Sequence, residues 1–358
     1  MKTDPLNRVP WLGRARGIRW FYWRGMEAAV RLREFRGWLR GVRRRFLGPP
    51  QPGSSAYRRQ ISEEIGHYSA VHAGVTAAAT ELCEQAPPVW EEIQTRCVER
   101  IRRATGMDVV GNVATRLRTR PGARLISLGS GPGGVELAIA REAPEAEVLC
   151  LDLNFEVLEL GRRQALLEKL MVRFQQADLN TAELPEDSFD VALCYASLHH
   201  LVALERVMRQ ISRCLRPGGE LVVLDIITRN GFRMWPDTRR FAEAIWATLP
   251  ERYRVNHTAY ASPKLDSRLW RADTRRIGME CVRSEDILPL LRRYFDETVF
   301  VPLLSLATRF CNTMYGPNYD LNRPLDRAIA DWIWELDVHL LDTGRLRPES
   351  FFGVYAPR

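Results

Sequence analysis

The residues that most clearly indicate chemistry are the glycines of the segment LISLGSGPGG, residues 125–134. Gly129, Gly131 and Gly133 let the backbone turn sharply and approach a ligand with no side chain between. Gly129, Gly131 and Gly134 also satisfy the G-x-G-x-x-G pattern of dinucleotide-binding loops. A predicted strand precedes the loop and a predicted helix follows it, so the segment indicates a site for a nucleotide or nucleoside.

Two carboxylates follow neighbouring strands of the same region. Asp152 stands near the end of the second predicted strand, EVLCLDL, where an acid can accept hydrogen bonds from the ribose hydroxyls of a dinucleotide or an adenosyl ligand. Asp178 ends the third predicted strand, where it could contact an adenine amino group. The competing interpretations are a solvated acid at Asp152 and a helix or turn cap at Asp178.

The order of the following motifs separates these ligands. A strand FDVAL begins at Phe189, and LRPGGELVV at residues 215–223 leads from a helix into a fifth strand. Over roughly residues 124–227 this order resembles the class I S-adenosylmethionine-dependent methyltransferases, especially the broad group that acts on small molecules, lipids and sugars. A dehydrogenase is not expected to show the whole series. Another nucleotide, or a fold that no longer binds a ligand, remains the alternative.

The resemblance implies that S-adenosylmethionine is the cofactor and assigns it ten residues. The methionine and ribose end of the cofactor is expected to contact Gly129, Ser130, Gly131 and Gly133. The ribose hydroxyls are expected to bind Asp152. The adenine is expected to contact Leu153, Asp178 and Leu179. The methionine moiety is also expected to lie near Tyr195 and Ala196. The sequence departs from the family at Ser127, where many members have an acid two residues before the first glycine.

Methyl transfer is an in-line displacement that requires alignment of the acceptor and, for some acceptors, removal of a proton. His199 and His200 are candidate catalytic bases because imidazole titrates near neutral pH, and Asp225 at the end of the fifth strand is a third candidate. The alternative is that Leu-His-His-Leu only shapes the next helix. The fourth strand ends CYAS rather than Asn/Asp-Pro-Pro-Tyr, which disfavours methylation of a base amino group. No cluster of acids suggests a metal site, so no metal is expected.

Short apolar runs that alternate with helical patterns predict a parallel sheet with helices on both faces. We therefore predict an α/β, Rossmann-like seven-stranded methyltransferase sheet with a helical N-terminal extension and an insertion after the fifth strand. The predicted boundaries are a basic extension over 1–50, a helical lid region over 51–120 and a methyltransferase domain over 121–358. The insertion, at about 228–284, is rich in Arg, Trp and Tyr; these residues could build an acceptor pocket, and the alternative is that they simply pack the insertion. In the lid region, cofactor contact or ordinary helix packing is predicted for His67 and Tyr68.

The charge of the chain is concentrated at its start. The 358 residues carry a formal net charge of +8, yet residues 1–50 hold 13 Lys/Arg against 3 Asp/Glu, so the remainder is slightly acidic. Residues 11–46 combine arginines and tryptophans with an apolar stripe, the pattern of an amphipathic basic helix. An anionic membrane surface, RNA and a protein partner are three competing ligands for this helix. We favour the membrane and consider nucleic acid a poor candidate, because the catalytic region lacks basic character.

Composition sets the wider limits. Hydrophobic residues make up 46% and charged residues 27%, ordinary values that exclude fibrous and wholly disordered chains. Seven widely spaced cysteines and the absence of an apolar signal region predict reduced thiols and a cytoplasmic protein, peripheral on the inner face of a membrane if the basic helix binds lipid. We expect a methyltransferase for a small-molecule or lipid-linked acceptor, such as a sugar hydroxyl in glycan or glycolipid biosynthesis. The alternatives are a membrane-associated, non-catalytic adaptor and an RNA-directed methyltransferase.

Overall fold

The structure is a computed structural model that describes residues 49–76, 86–258, 262–271, 273–274 and 279–358. The segment 11–46, for which the sequence predicts a basic helix, lies outside the described residues. The compact unit spans Pro49–Arg358. None of the helices within the described ranges has both the length and the apolar character needed to cross a bilayer.

Helices and strands alternate through the central part of the described chain. The helices are α1 (Ser55–Thr76), α2 (Pro88–Thr105), α3 (Val109–Arg118), α4 (Gly134–Glu142), α5 (Phe155–Glu168), α6 (Leu204–Cys214), α7 (Pro236–Thr248), α8 (Ser284–Tyr294), α9 (Ala307–Cys311) and α10 (Pro324–Asp342). The strands are β1 (Arg124–Leu128), β2 (Glu147–Asp152), β3 (Val172–Gln176), β4 (Phe189–Tyr195), β5 (Leu215–Ile226), β6 (Val255–Asn256), β7 (Lys264–Leu265), β8 (Phe295–Leu304) and β9 (Ser350–Pro357).

The main sheet has seven strands in the order β3-β2-β1-β4-β5-β9-β8, which confirms the predicted fold class. Strands β1 to β5 are parallel, and β9 runs antiparallel to both β5 and β8. The strand order reverses direction between β1 and β4, which are paired. In such a sheet a crevice opens beyond the carboxyl ends of the strands at the reversal, and ligands bind there.

The residues of β1 show why the sheet has helices on both faces. Leu125 packs into one hydrophobic cluster, while Ile126 and Leu128 pack into another, and all three are fully buried. Successive residues of a strand point to opposite faces. A short run of apolar residues is therefore the expected sequence of a strand that is covered on both sides.

The lid region and the insertion differ in what they cover. Helix α1 lies against the carboxyl-end crevice, whereas α2 packs on β8 and α3 packs on α4. Among the described helices of the predicted lid region, 51–120, α1 is therefore the one that lines the crevice. The insertion contains α7 and the β6–β7 hairpin. Its aromatic residues Trp246 and Tyr253 are buried in the core, away from the crevice lining.

Gly161 in α5 provides a test of how tightly the glycine loop is packed. A Cβ at this position would lie 2.4 Å from the carbonyl oxygen of Pro132 and 2.4 Å from a ring carbon of Phe174. Because one of the two obstacles is backbone, Gly161→Ala is expected to lower the free energy of unfolding by about 1–3 kcal/mol. Denaturant titration of the purified variant measures this change.

Gly66 in α1 is the matched control, because a Cβ there would meet no atom within 4 Å. Gly66→Ala is expected to raise the free energy of unfolding by about 0.5–1 kcal/mol, the usual advantage of alanine over glycine inside a helix. Equal effects of the two substitutions would show that the approach of α5 to the glycine loop is looser than the structure describes.

Candidate active site

A cavity of about 260 Å³ opens where β1, β2, β3 and β4 end, and α1 covers it. Nine of the ten residues predicted to bind the cofactor line this cavity: Gly129, Ser130, Gly131, Asp152, Leu153, Asp178, Leu179, Tyr195 and Ala196. The tenth, Gly133, does not line it and instead precedes α4 with a positive φ of 75°. The structure therefore brings nine of these residues together around one cavity, and their contact with a cofactor stays a prediction.

The glycine loop is held in place by the next strand. The backbone N–H groups of Gly129 and Ser130 donate to the carbonyl oxygen of Leu151 over 2.7 and 3.1 Å. Gly129 has a φ of +77°, and a Cβ there would lie 2.5 Å from the Cβ of Ser197. Both facts require glycine, since a side chain would be strained and would push the loop away from β4.

Asp152 supports the loop and still has acceptor capacity for a ligand. Its carboxylate accepts hydrogen bonds from the backbone N–H of Gly131 at 2.9 Å and of Asn154 at 2.8 Å. A carboxylate offers about four lone-pair sites, so two remain after these contacts. Asp152 lines the cavity, and the free lone pairs can accept the two hydroxyls of a ribose.

Asp178 is the second carboxylate of the lining. It accepts the backbone N–H of Asn180 at 3.0 Å and the hydroxyl of Tyr57, which lies 2.8 and 2.9 Å from its two oxygens. The Asn180 side chain in turn accepts the backbone N–H groups of Val202 and Ala203. Sequence reasoning identified Asp178 but missed Tyr57 and Asn180, because 121 residues separate Tyr57 from Asp178.

The departure at Ser127 has a counterpart on α4. The Ser127 hydroxyl donates to a carboxylate oxygen of Glu136 at 2.5 Å, and both residues are buried. Burial raises the pKa of Glu136, and the Ser127 hydrogen bond lowers it by less. A buried acid thus stands beside Ser127 although the strand itself carries none. Sequence reasoning missed Glu136, since no motif of this chain marks it.

His200 is the one of the three predicted catalytic residues that lines the cavity. Its Nδ1 lies 2.6 Å from a carboxylate oxygen of Glu64, and its Nε2 lies 3.3 Å from the Tyr68 hydroxyl. Both partners come from α1 and line the same cavity. In the tautomer with a proton on Nδ1, the Tyr68 hydroxyl donates to Nε2, and the Glu64 carboxylate is a close charged neighbour of Nδ1.

The environment fixes the charge of the two partners of His200. Burial alone would raise the pKa of Glu64, but the hydrogen bond and charge of His200 and the backbone N–H of Met279 lower it below its ordinary value. Burial, together with Glu280 and Glu64, raises the pKa of Tyr68 well above that of a free phenol. Glu64 is therefore an ionised acceptor, and Tyr68 keeps its proton until a base takes it.

His199 and Asp225 form a buried pair behind the lining. The Nδ1 atom of His199 lies 2.6 Å from Asp225, which also accepts the backbone N–H groups of Ser197 and Leu198. Neither side chain is more than 3% exposed, and neither lines the cavity. Their contacts hold the turn that presents His200. His67, the other lid residue considered from the sequence, is exposed on α1.

His199, His200 and Glu280 each place one ligand atom within 4.8 Å of the others, an arrangement that could hold a cation. Two facts oppose this use. The Tyr68 hydroxyl already bonds Nε2 of His200. Burial disfavours a charged imidazole at His199, but Asp225, Glu280 and Glu64 outweigh it and raise the pKa of His199 to about 9. A protonated His199 would repel a metal ion, so we describe the cluster as a charge-paired network.

The raised pKa of His199 predicts a specific dependence of stability on pH. The folded-state pKa, about 9, exceeds the ordinary value of 6.5, so the folded chain holds this proton more tightly than the unfolded chain. The resulting stability is fully present below pH 6.5 and is lost as the pH rises through 9. Between pH 6.5 and 9.5 the free energy of unfolding should fall by up to about 3 kcal/mol from this group.

Urea unfolding of the wild type and of His199→Gln at both pH values isolates this contribution, because the other titrating groups are common to the two proteins. The variant is expected to lose less stability over the same interval. Parallel curves for the two proteins would show that His199 carries no excess proton in the folded state.

The cavity suits an adenosyl cofactor by the chemistry of its groups. Asp152 and Asp178 are acceptors for hydroxyl and amino donors, and the positive-φ glycines leave room for a ligand against bare backbone. The buried Ser197 hydroxyl, also in the lining, has no hydrogen-bond partner among the residues that the structure describes. An unpartnered buried hydroxyl is costly, and a polar ligand group in this cavity would satisfy it.

Comparison with known proteins agrees with this geometry. Residues 126–223 match the family described as "Methyltransferase domain". The ubiquinone/menaquinone biosynthesis C-methyltransferase UbiE of Azotobacter vinelandii is 35% identical over 109 residues, 30% of this chain and 43% of the relative. The demethylmenaquinone methyltransferase of Thermus thermophilus is 33% identical over 102 residues, 28% of this chain and 46% of the relative.

The chain thus spans less than half the length of these curated relatives. Among solved structures, the [4+2]-cyclase SpnF is similar with a TM-score of 0.46 and 18% identity, over 87% of this chain and 98% of that one. The sequence match covers the glycine loop, Asp152, Asp178 and the turn at His200. Over residues 126–223 the chain is a class I methyltransferase domain, of the family whose cofactor is S-adenosylmethionine.

Proposed function

We propose that this protein is an S-adenosylmethionine-dependent methyltransferase that acts on a small organic molecule. The observation that carries the proposal is a single cavity with two chemically different ends. One end has the glycine loop with Asp152 and Asp178, and the other has the Tyr68–His200–Glu64 chain from α1 and the turn after β4. A non-catalytic cofactor-binding protein would have no use for the second end.

Each residue has a distinct task in this proposal. Bound S-adenosylmethionine supplies a methyl group on a positively charged sulfur. Asp152 accepts the ribose hydroxyls and Asp178 accepts the adenine amino group, which together fix where the methyl group lies. The acceptor binds beside Tyr68, whose hydroxyl takes the acceptor proton while passing its own to Nε2 of His200. The Glu64 carboxylate stabilises the charged imidazole that results.

His199 and Asp225 act indirectly in the same proposal. Asp225 accepts backbone N–H groups on both sides of the turn and holds His199, so the pair orients His200. They are positioning residues, whereas the sequence treats them as candidate bases equal to His200. Neither residue lines the cavity, which supports a positioning role for both and a catalytic role for His200.

The acceptor is proposed only as a class. The relatives are C-methyltransferases and a demethylmenaquinone methyltransferase by name, and neither name supports the sugar hydroxyl or lipid-linked acceptor considered from the sequence. The insertion supplies Met279 to the lining, which also contains Tyr68 and Leu201. This apolar contact supports an acceptor with an uncharged organic surface.

Two measurements on the purified full chain test the proposal. Calorimetry with S-adenosylhomocysteine tests the cofactor end, and transfer of labelled methyl from S-adenosylmethionine to a panel of phenols, quinols, amines and glycosides tests the acceptor end. Binding with turnover supports the enzyme. Binding with no turnover on the panel or on cell extract supports the non-catalytic adaptor, and no binding at all contradicts both.

The proposed contact of residues 11–46 with an anionic membrane rests on the sequence alone. Flotation of the full chain with anionic and with neutral vesicles tests it, and equal flotation with both would contradict it. An RNA-directed methyltransferase would instead show turnover on RNA in the same labelled-methyl assay.

A further inference from the structure

Tyr57 has a contact that its place in the chain does not suggest. It is the third residue of α1, and its side chain is only 2% exposed. Its hydroxyl lies 2.8 Å from one oxygen of Asp178 and 2.9 Å from the other. Because the hydroxyl is nearly equidistant from the two oxygens, they share its proton. This contact restrains rotation of the Asp178 carboxylate.

The hydroxyl of Tyr57 approaches from behind the cavity. Asp178 lines the cavity, whereas Tyr57 is absent from the lining. Oδ1 of Asp178 also accepts the backbone N–H and the side-chain amide of Asn180, so the remaining acceptor capacity for a ligand lies mainly on Oδ2. Burial and the neighbouring Asp178 raise the pKa of Tyr57 far above the ordinary phenol value. The hydroxyl keeps its proton and acts as a permanent donor.

Packing fixes the ring as firmly as the hydrogen bond fixes the hydroxyl. Tyr57 forms a buried cluster with Val202, just after the turn that carries His200, and with Met279 of the insertion. Its backbone N–H donates to the hydroxyl of Ser54 at the start of the helix. Rotation of the Tyr57 side chain away from Asp178 would therefore break its packing against Val202 and Met279.

We propose that Tyr57 is a positioning residue for recognition of the cofactor's base, holding the Asp178 carboxylate so that it accepts the 6-amino group of adenine. This inference rests on the proposed function, and it makes the lid helix part of base selectivity. A carboxylate free to rotate would still attract a ligand, but it would distinguish an amino group from a hydrogen atom less sharply.

The test compares two ligands on Tyr57→Phe. One is S-adenosylhomocysteine, and the other is its analogue with hydrogen in place of the 6-amino group. Calorimetry should show the wild type preferring the amino ligand by at least about tenfold, one well-placed hydrogen bond to a charged group. The variant should lose most of that preference through weaker binding of the amino ligand alone.

Tyr253→Phe is the matched control, because it removes a buried hydroxyl bonded to a carboxylate, that of Asp326 at 2.7 Å, in a part of the fold outside the cavity. It should leave the preference unchanged. Asp178→Ala gives an independent check: it removes the acceptor and with it the preference, and adding Tyr57→Phe to it should cause no further change.

Equal weakening of both ligands by Tyr57→Phe would overturn the proposal, since it would reduce Tyr57 to a packing residue. An undiminished preference would overturn it as well. Failure of the wild type to bind either ligand is a different result, because it would contradict the proposed function itself.

Discussion

Replacement of Asp152 by alanine should raise the Kd for S-adenosylmethionine by about 100-fold. The carboxylate is expected to hold both ribose hydroxyls, and each hydrogen bond to a charged group contributes about 1.5–3 kcal/mol. Even the lower value for two bonds, about 3 kcal/mol, corresponds to about 100-fold in affinity. The substitution also removes the acceptor that Gly131 and Asn154 use, so the glycine loop loses an anchor in the same step.

Two further variants separate the ligand contact from the loop contact. Asp152→Asn retains one acceptor oxygen and should weaken binding less than alanine does. Asp296→Ala removes an exposed carboxylate that pairs with Arg358 on the far side of the sheet, and it should leave the affinity unchanged. Calorimetry that finds the affinity of Asp152→Ala within threefold of the wild type would contradict the ribose assignment.

The sequence was sufficient to predict the sheet and the residues that line the glycine-loop end of the cavity, for a physical reason. Strands buried on both faces must be short apolar runs, and a backbone that approaches a ligand must be glycine. These demands act on neighbouring residues, so they leave a local pattern such as LISLGSGPGG. Asp152 and Asp178 were identified because Asp152 is the last residue of β2 and Asp178 comes two residues after β3.

The other end of the cavity could not be predicted in the same way. Glu64 and Tyr68 reach His200 from a helix more than 130 positions earlier in the chain, and Met279 comes from an insertion with no clear period. Such contacts depend on how helices and strands pack against one another, and the sequence of a single helix or strand does not reveal them. For the aromatic residues of the insertion the sequence left an acceptor pocket and simple packing open, and Trp246 and Tyr253 pack in the core.

The equal rank that the sequence assigns to His199, His200 and Asp225 illustrates the same limit. All three lie at the ends of adjacent strands, and nothing local distinguishes a side chain that enters the cavity from one that turns behind it. Burial makes the distinction, since His199 and Asp225 are at most 3% exposed while His200 lines the cavity. A test of catalysis should therefore begin with His200.

His200→Ala is expected to lower turnover by about 10²–10⁴-fold, the usual contribution of a positioned acid or base. Affinity for S-adenosylhomocysteine should stay within about threefold, because His200 contacts Glu64 and Tyr68 rather than the two cofactor carboxylates. Steady-state kinetics on an acceptor from the panel, together with calorimetry, measures both quantities. Glu64→Gln and Tyr68→Phe should lower turnover in the same direction, since each removes one link of the chain.

The controls for His200 distinguish proton transfer from packing. His339→Ala removes an exposed histidine of α10 and should change neither turnover nor affinity. Added imidazole should restore part of the turnover of His200→Ala, because it can occupy the space left beside Glu64 and Tyr68, and it should not restore Tyr68→Phe. Normal turnover in His200→Ala would leave the residue only the structural role of shaping its turn, and an acceptor that needs no base would then be the better substrate class.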